Sequence, residues 1–209
     1  MLAHWRKGTV LMNISTANAE GALPRFTSIE KLIETQKPVE SVYCLQPEKF
    51  RACAKRFLDV FPGDTLYAVK ANPSPYVLDQ VYAAGIRHYD TASVGEIELV
   101  RGRFPDAHCH FMHPVRAPGA AAIAYNKFGL RDFVIDCDSE LDKLLAETNG
   151  GKDLRIFVRL AAPLGGALLE LSSKFGASPD EAARLLKRVA KSGATPALTL
   201  HVGSQCLSA

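Results

Sequence analysis

Tyr67-Ala68-Val69-Lys70-Ala71-Asn72-Pro73 decides how this chain is read. The apolar run from Thr65 to Val69 reads as a strand that delivers a lysine at its end, and Asn72-Pro73 then breaks the element. Lysine is rarely buried without a partner, so one that closes an apolar run needs a reason. At the C-terminal end of a barrel strand that reason is often chemistry. A desolvated lysine has a lowered pKa and can form a Schiff base with an aldehyde. The competing reading is a lysine whose stem packs while its ammonium reaches water.

Outward from this stretch, short apolar runs alternate with segments of helical period. The pattern predicts strands at residues 41–45, 65–69, 86–89, 109–113, 132–135, 155–160 and 197–201. It predicts helices at 47–60, 75–84, 94–103, 117–128, 139–147 and 179–191. Ser93 precedes Gly-Glu-Ile-Glu and is placed to cap a helix, with Glu96 in capping-box position. Ser178-Pro179-Asp180-Glu181 offers an N-cap, a proline at the first helical position and acids in the first turn, and Ser192-Gly193 stops that helix.

Strict strand–helix alternation with short connections means an α/β fold with a parallel sheet. No Gly-rich fingerprint follows the first strand, which argues against a dinucleotide-binding sheet. Seven strands alternating with six helices favour a TIM-type (β/α)8 barrel, incomplete at the C-terminus, since a complete barrel takes roughly 250 residues. The expected division is an N-terminal leader over 1–38, polar to about Phe26, and a barrel domain over 39–209.

Composition excludes several classes. Of 209 residues 47% are hydrophobic and 22% charged, enough apolar content for a core. The formal net charge of +3 is small and scattered, which is no nucleic-acid footprint. No apolar run reaches membrane-span length, and Met1 to Lys7 leads into a segment too polar for a signal peptide. Five cysteines, odd in number and set in apolar surroundings, fit reduced thiols in a cytoplasmic protein.

The strand ends carry chemistry. Lys70 follows the second predicted strand, Asp90 the third, His113-Pro114-Val115-Arg116 the fourth and Asp136 the fifth. Arg159 sits in the sixth, and His201-Val202-Gly203-Ser204 ends the seventh. In a parallel barrel these ends share one mouth. Capping is the competing role for Asp90 and is the expected one for Asp136, which leads through Cys137-Asp138-Ser139 into a helix. A satisfied core histidine is the alternative for His201, but Gly203-Ser204 beside it offers donors to a phosphate. His108-Cys109-His110 with His113 looks metal-like, yet no second ligand cluster at zinc spacing accompanies it, so no metal is expected. Gly165-Gly166 reads as a turn.

Four ordered motifs carry a resemblance: Tyr67 to Asn72, Tyr89-Asp90-Thr91-Ala92-Ser93 with Glu96-Ile97, Leu-Ser-Ser-Lys-Phe-Gly ending at Gly176, and His201-Val202-Gly203-Ser204-Gln205. Together they resemble the fold-type III pyridoxal-phosphate decarboxylases of ornithine, lysine, arginine and diaminopimelate, which share the alanine-racemase barrel. Asp-Thr-Ala-Ser is similar to the ornithine/lysine branch. The resemblance implies pyridoxal phosphate as cofactor, decarboxylation of a basic amino acid (ornithine to putrescine, or lysine to cadaverine) in polyamine synthesis, and a homodimer. It implies that Lys70 holds the cofactor, His201 stacks on its ring, Ser204 binds its phosphate, Arg159 lies near its phenolic oxygen and Asp90 and Glu96 lie near the lysine. The family's Gly-rich phosphate loop, ring-nitrogen acid, partner-subunit cysteine and β-domain are expected beyond Ala209, so this chain alone is expected to be inactive. A non-catalytic relative or fragment that binds cofactor or a partner, and a racemase, are the alternatives.

Overall fold

The computed structural model describes residues 10–13, 24–162, 167–169 and 174–206, which fall into two compact units. The first takes in residues up to Gly63 together with Pro75–Gly85. Its elements are β1 (Val10–Asn13), β2 (Arg25–Phe26), α1 (Ile29–Gln36), β3 (Tyr43–Leu45), α2 (Pro47–Val60) and α3 (Pro75–Ala83). β1 lies between β2 and β3 in an antiparallel sheet, with Leu11 opposite Leu45 and Met12 opposite Cys44.

Two expectations change here. The run at 41–45 was expected to open the parallel sheet, but its strand pairs antiparallel with β1. A three-residue strand with Tyr43 80% exposed says nothing in its own pattern about its partner. The stretch expected to be a polar leader contains β1, β2 and α1. α1 has its own punctuation: Ser28 accepts the backbone N–H of Lys31, and Lys37 closes the helix in the left-handed region.

The second unit spans Asp64–Ser74 and residues from Ile86 onward. In chain order it holds β4 (Leu66–Ala68), β5 (His88–Thr91), α4 (Val94–Arg103), β6 (His108–Phe111) and α5 (Ala120–Phe128). There follow β7 (Asp132–Ile135), α6 (Asp138–Glu147), β8 (Arg155–Leu160), β9 (Ala167–Leu169), α7 (Pro179–Lys191), β10 (Thr195–Leu200) and β11 (Ser204–Cys206). Six parallel strands run in the order β10-β8-β7-β6-β5-β4, the open form of a TIM-type barrel. The short β9 and β11 pair antiparallel apart from it.

The sheet is held by an apolar layer. Tyr89, Phe111, Phe133, Ile135, Ile156 and Val158 are buried in the strands, and Ile97, Val100, Leu141, Leu144, Leu185 and Val189 in the helices. Each such side chain stabilises by about 1.5–3 kcal/mol relative to exposure. On α7 the buried residues Ala182, Leu185 and Val189 fall at helical spacing along one stripe. Its capping box forms as expected, with Ser178 and Glu181 each satisfying the other's backbone. Ser93 accepts the N–H of Glu96 at 3.3 Å, while Glu96 Oε2 accepts the N–H of Ala92 at 2.8 Å.

Candidate active site

Parallel register fixes what meets at the strand ends. Ala68 pairs with Asp90, and Asp90 pairs with His110, so alternate residues of adjacent strands turn to the same side. A cleft of about 230 Å³ opens where β4, β5, β8 and β10 end, and Lys70, Asp90, Arg159 and His201 all line it. Leu66, Met112, Val134, Thr199 and Leu200 complete its walls.

β4 stops at Ala68, and a single 3-10 turn, Val69–Ala71, turns Val69 fully into the core and Lys70 out into the cleft. The lysine is therefore exposed rather than buried, a correction to the strand reading. The turn is tied down by the Tyr67 hydroxyl, which donates to the Asn72 carbonyl at 3.1 Å, and by Asn72 Oδ1, which accepts the Ser74 N–H at 3.1 Å. Among the described residues no hydrogen bond or ion pair occupies the Lys70 ammonium.

Burial raises the Asp90 carboxyl above the ordinary aspartate value, against the opposing pull of Lys70, His110, His113 and His201. Burial lowers the Arg159 guanidinium, with Asp136 and Asp90 opposing. Its charge stands over the Phe175 ring at 5.3 Å. Burial also lowers His201, and the positive charges of Arg159 and Lys70 add to the effect.

Asp136 does not cap the helix that follows it. The N-cap is Cys137, with no side-chain cap bond, and Asp136 Oδ2 accepts the N–H of Gly176 at 3.1 Å. The segment Phe175–Ala177 thereby becomes part of the site's scaffold. Ala177 donates to the Arg159 carbonyl at 2.8 Å and accepts from Ala161 at 2.9 Å, which extends the sheet beside β8. Phe175 and Gly176 had been given no role, although the Lys-Phe-Gly motif holds both, and Asp136 was expected to cap a helix rather than to clamp this segment. Lys174 is exposed, and Gly165-Gly166 and Ser172 lie outside the described residues.

Ser204 does not line the cleft. It is exposed at the start of β11, opposite Leu169, and the N–H of Gly203 is directed to Nδ1 of His201 at 2.9 Å. Glu96 serves as a cap. Cys44, Cys53, Cys109 and Cys137 are free thiols, and among the described residues no group of three metal-ligating side chains is assembled. No helix among them is long and apolar enough to cross a membrane.

The donor set fits an anionic aldehyde. An uncommitted amine, a guanidinium and an imidazole converge against one carboxylate, beside apolar walls that a flat ring can lie against.

Comparison with known proteins agrees with this chemistry. A lysine/ornithine decarboxylase of Selenomonas ruminantium is 39% identical over 145 residues, covering 68% of this chain and 35% of that protein. The chain thus spans about a third of the length of this relative. The solved structure of an SrLDC double mutant in complex with PLP is 29% identical, with a TM-score of 0.72, covering 87% of this chain and 47% of that one. A lysine/ornithine decarboxylase from Vibrio vulnificus, complexed with cadaverine, is 28% identical with a TM-score of 0.66, covering 85% and 47%. Residues 47–209 match the family described as pyridoxal-dependent decarboxylase, pyridoxal binding domain. The chain therefore belongs to the pyridoxal-dependent decarboxylase family, of which it carries the pyridoxal-binding domain, with pyridoxal phosphate as the cofactor.

Proposed function

We propose that the protein acts on a basic amino acid, converting ornithine to putrescine and also accepting lysine to give cadaverine, as a step of polyamine synthesis. The convergence of Lys70, Arg159 and His201 on one cleft is the observation that carries this reading. The names of the Selenomonas and Vibrio relatives support the substrate class.

When bound, pyridoxal phosphate supplies the electron sink for the carbanion left as carbon dioxide departs from Cα. The protein's share is attachment and orientation. Lys70 would hold the cofactor through its Nζ and, when not so engaged, would hold a proton in the cleft. His201, neutral and held by Gly203, would offer a flat face to the cofactor ring. Arg159 would lie near the cofactor's phenolic oxygen, and Asp90 lines the same cleft as the lysine. Ser204, exposed on β11, would be the hydroxyl that meets the phosphate, and the working form is a cytoplasmic homodimer.

The test is carbon dioxide release from ornithine and from lysine by the full-length protein and its Lys70→Ala variant. Turnover of ornithine at about 1–10³ per second, abolished in the variant, is expected. Cofactor binding with neither amine product formed supports a non-catalytic member, and racemised substrate without carbon dioxide supports a racemase.

A further inference from the structure

Beneath the cleft the barrel side of the sheet is polar. Met112, just past the end of β6, lines the cleft and donates to the Thr91 carbonyl, so His110, two residues earlier, turns to the same side, paired with Asp90 on β5. Its side chain is 8% exposed, and both ring nitrogens are engaged. Nδ1 donates to Asp132 at 2.7 Å, and Nε2 lies 2.9 Å from Nδ1 of His88. Nε2 of His88 in turn faces Asp64, an open carboxylate with a side chain 78% exposed, at 4.0 Å.

We propose that His110 is a positioning residue for the cleft: with His88 it forms a relay that carries one proton from the Asp64 side of the sheet to the ring next to Asp90, and so sets the charge of Asp90 opposite Lys70. Asp132 is the fixed anion of the relay. Burial pushes its carboxyl up, but hydrogen bonds from His110 and Arg155 bring it down to about 2, so the mobile proton resides on the histidines. The bidentate grip of Arg155, at 2.7 and 2.9 Å, holds that carboxylate in place.

The transfer balances. In the resting arrangement Nδ1–H of His88 donates to Nε2 of His110. A proton arriving at Nε2 of His88 allows its Nδ1–H bond to break as an Nε2–H bond forms on His110. His88 is then neutral with its proton turned to Asp64, and the positive charge has moved beside Asp90. His88 is suited to passing the proton on, since burial lowers its affinity, with His110 and His108 acting the same way and Asp64 and Asp132 opposing. The groups facing Asp90 are Lys70, His110, His113 and His201, with Arg159 across the cleft, and of these only His110 is joined to the relay.

The proposal deepens the reading of the cleft around Lys70, and its test uses cofactor-free protein, so failure of Lys70 to hold the cofactor leaves it standing. The probe is the pH titration of the Asp90 carboxyl carbon and of the histidine ring nitrogens by NMR. In the wild type, Nδ1 of His110 carries the hydrogen directed to Asp132, and the Asp90 curve shows two inflections. In His110→Gln, which keeps a donor but cannot take the charge, the Asp90 midpoint rises by about one unit, a tenfold gain in proton affinity. His108→Gln, which spares both bonds of His110, leaves the midpoint in place. A bare Nδ1 on His110, a single-step Asp90 curve in the wild type, or an unmoved midpoint in His110→Gln overturns the relay in favour of a network that merely fills the barrel.

Discussion

Gly203 donates its backbone N–H to Nδ1 of His201 at 2.9 Å, which places the imidazole proton on Nε2 and fixes the ring at the mouth of the cleft. Gly203 sits at φ 98, a left-handed conformation that brings this N–H back over the preceding residues. Burial and the charges of Arg159 and Lys70 then keep the ring neutral.

From this follows a pH dependence. The folded chain holds His201 below its ordinary value of 6.5, and His88 is shifted the same way. The unfolded chain therefore binds more protons as pH falls through 6.5, and stability decreases in that direction. Above 6.5 the contribution is fully present. Urea unfolding across this range is expected to show a declining midpoint toward acid pH, with a smaller decline in His201→Asn. An identical pH slope in that variant contradicts the assignment.

Much of this was legible in the sequence, and the reasons are local. α2, α4 and α7 have the ends that the sequence predicts because Pro47, Ser93 and Ser178 are start signals with a mechanism. Lys70, Asp90, Arg159 and His201 could be brought together because parallel alternation sends strand ends to one side. What could not be read was pairing at a distance. Nothing in Tyr43–Leu45 shows that its partner is Val10–Asn13. Nothing around Asp136 shows that its acceptor oxygen serves Gly176, forty residues on, because a capping aspartate and a loop-clamping one look alike in sequence.

Gly176 is the tightest point of that clamp. At φ +102 an added Cβ would lie 2.7 Å from the backbone nitrogen of Ala161 and 2.8 Å from its Cα. Backbone cannot give way as a side chain can, so Gly176→Ala is expected to cost about 2 kcal/mol or more. The Phe175 face under Arg159 should be displaced with it. Denaturant unfolding measures the cost, and a variant as stable as the parent contradicts the packing.

Glu140 is 7% exposed and pairs with Arg116, 4% exposed, at 3.3 Å. Arg116 also donates to the carbonyls of His113 and Val134, tying the segment after β6 to β7. Removing one partner of a buried pair strands the other charge. Glu140→Ala is expected to destabilise by about 3 kcal/mol, and Glu140→Ala with Arg116→Met by less than the sum of the two single changes. Strict additivity in that double-mutant cycle contradicts coupling between them.

Lys70 is expected to be the residue of this cleft that holds the cofactor. Protein incubated with pyridoxal phosphate, reduced with borohydride and digested is mapped by peptide mass. A phosphopyridoxyl group is expected on Lys70, and it is lost, with no transfer to Lys174, in Lys70→Ala. Label on another lysine in the wild type, or none, contradicts it.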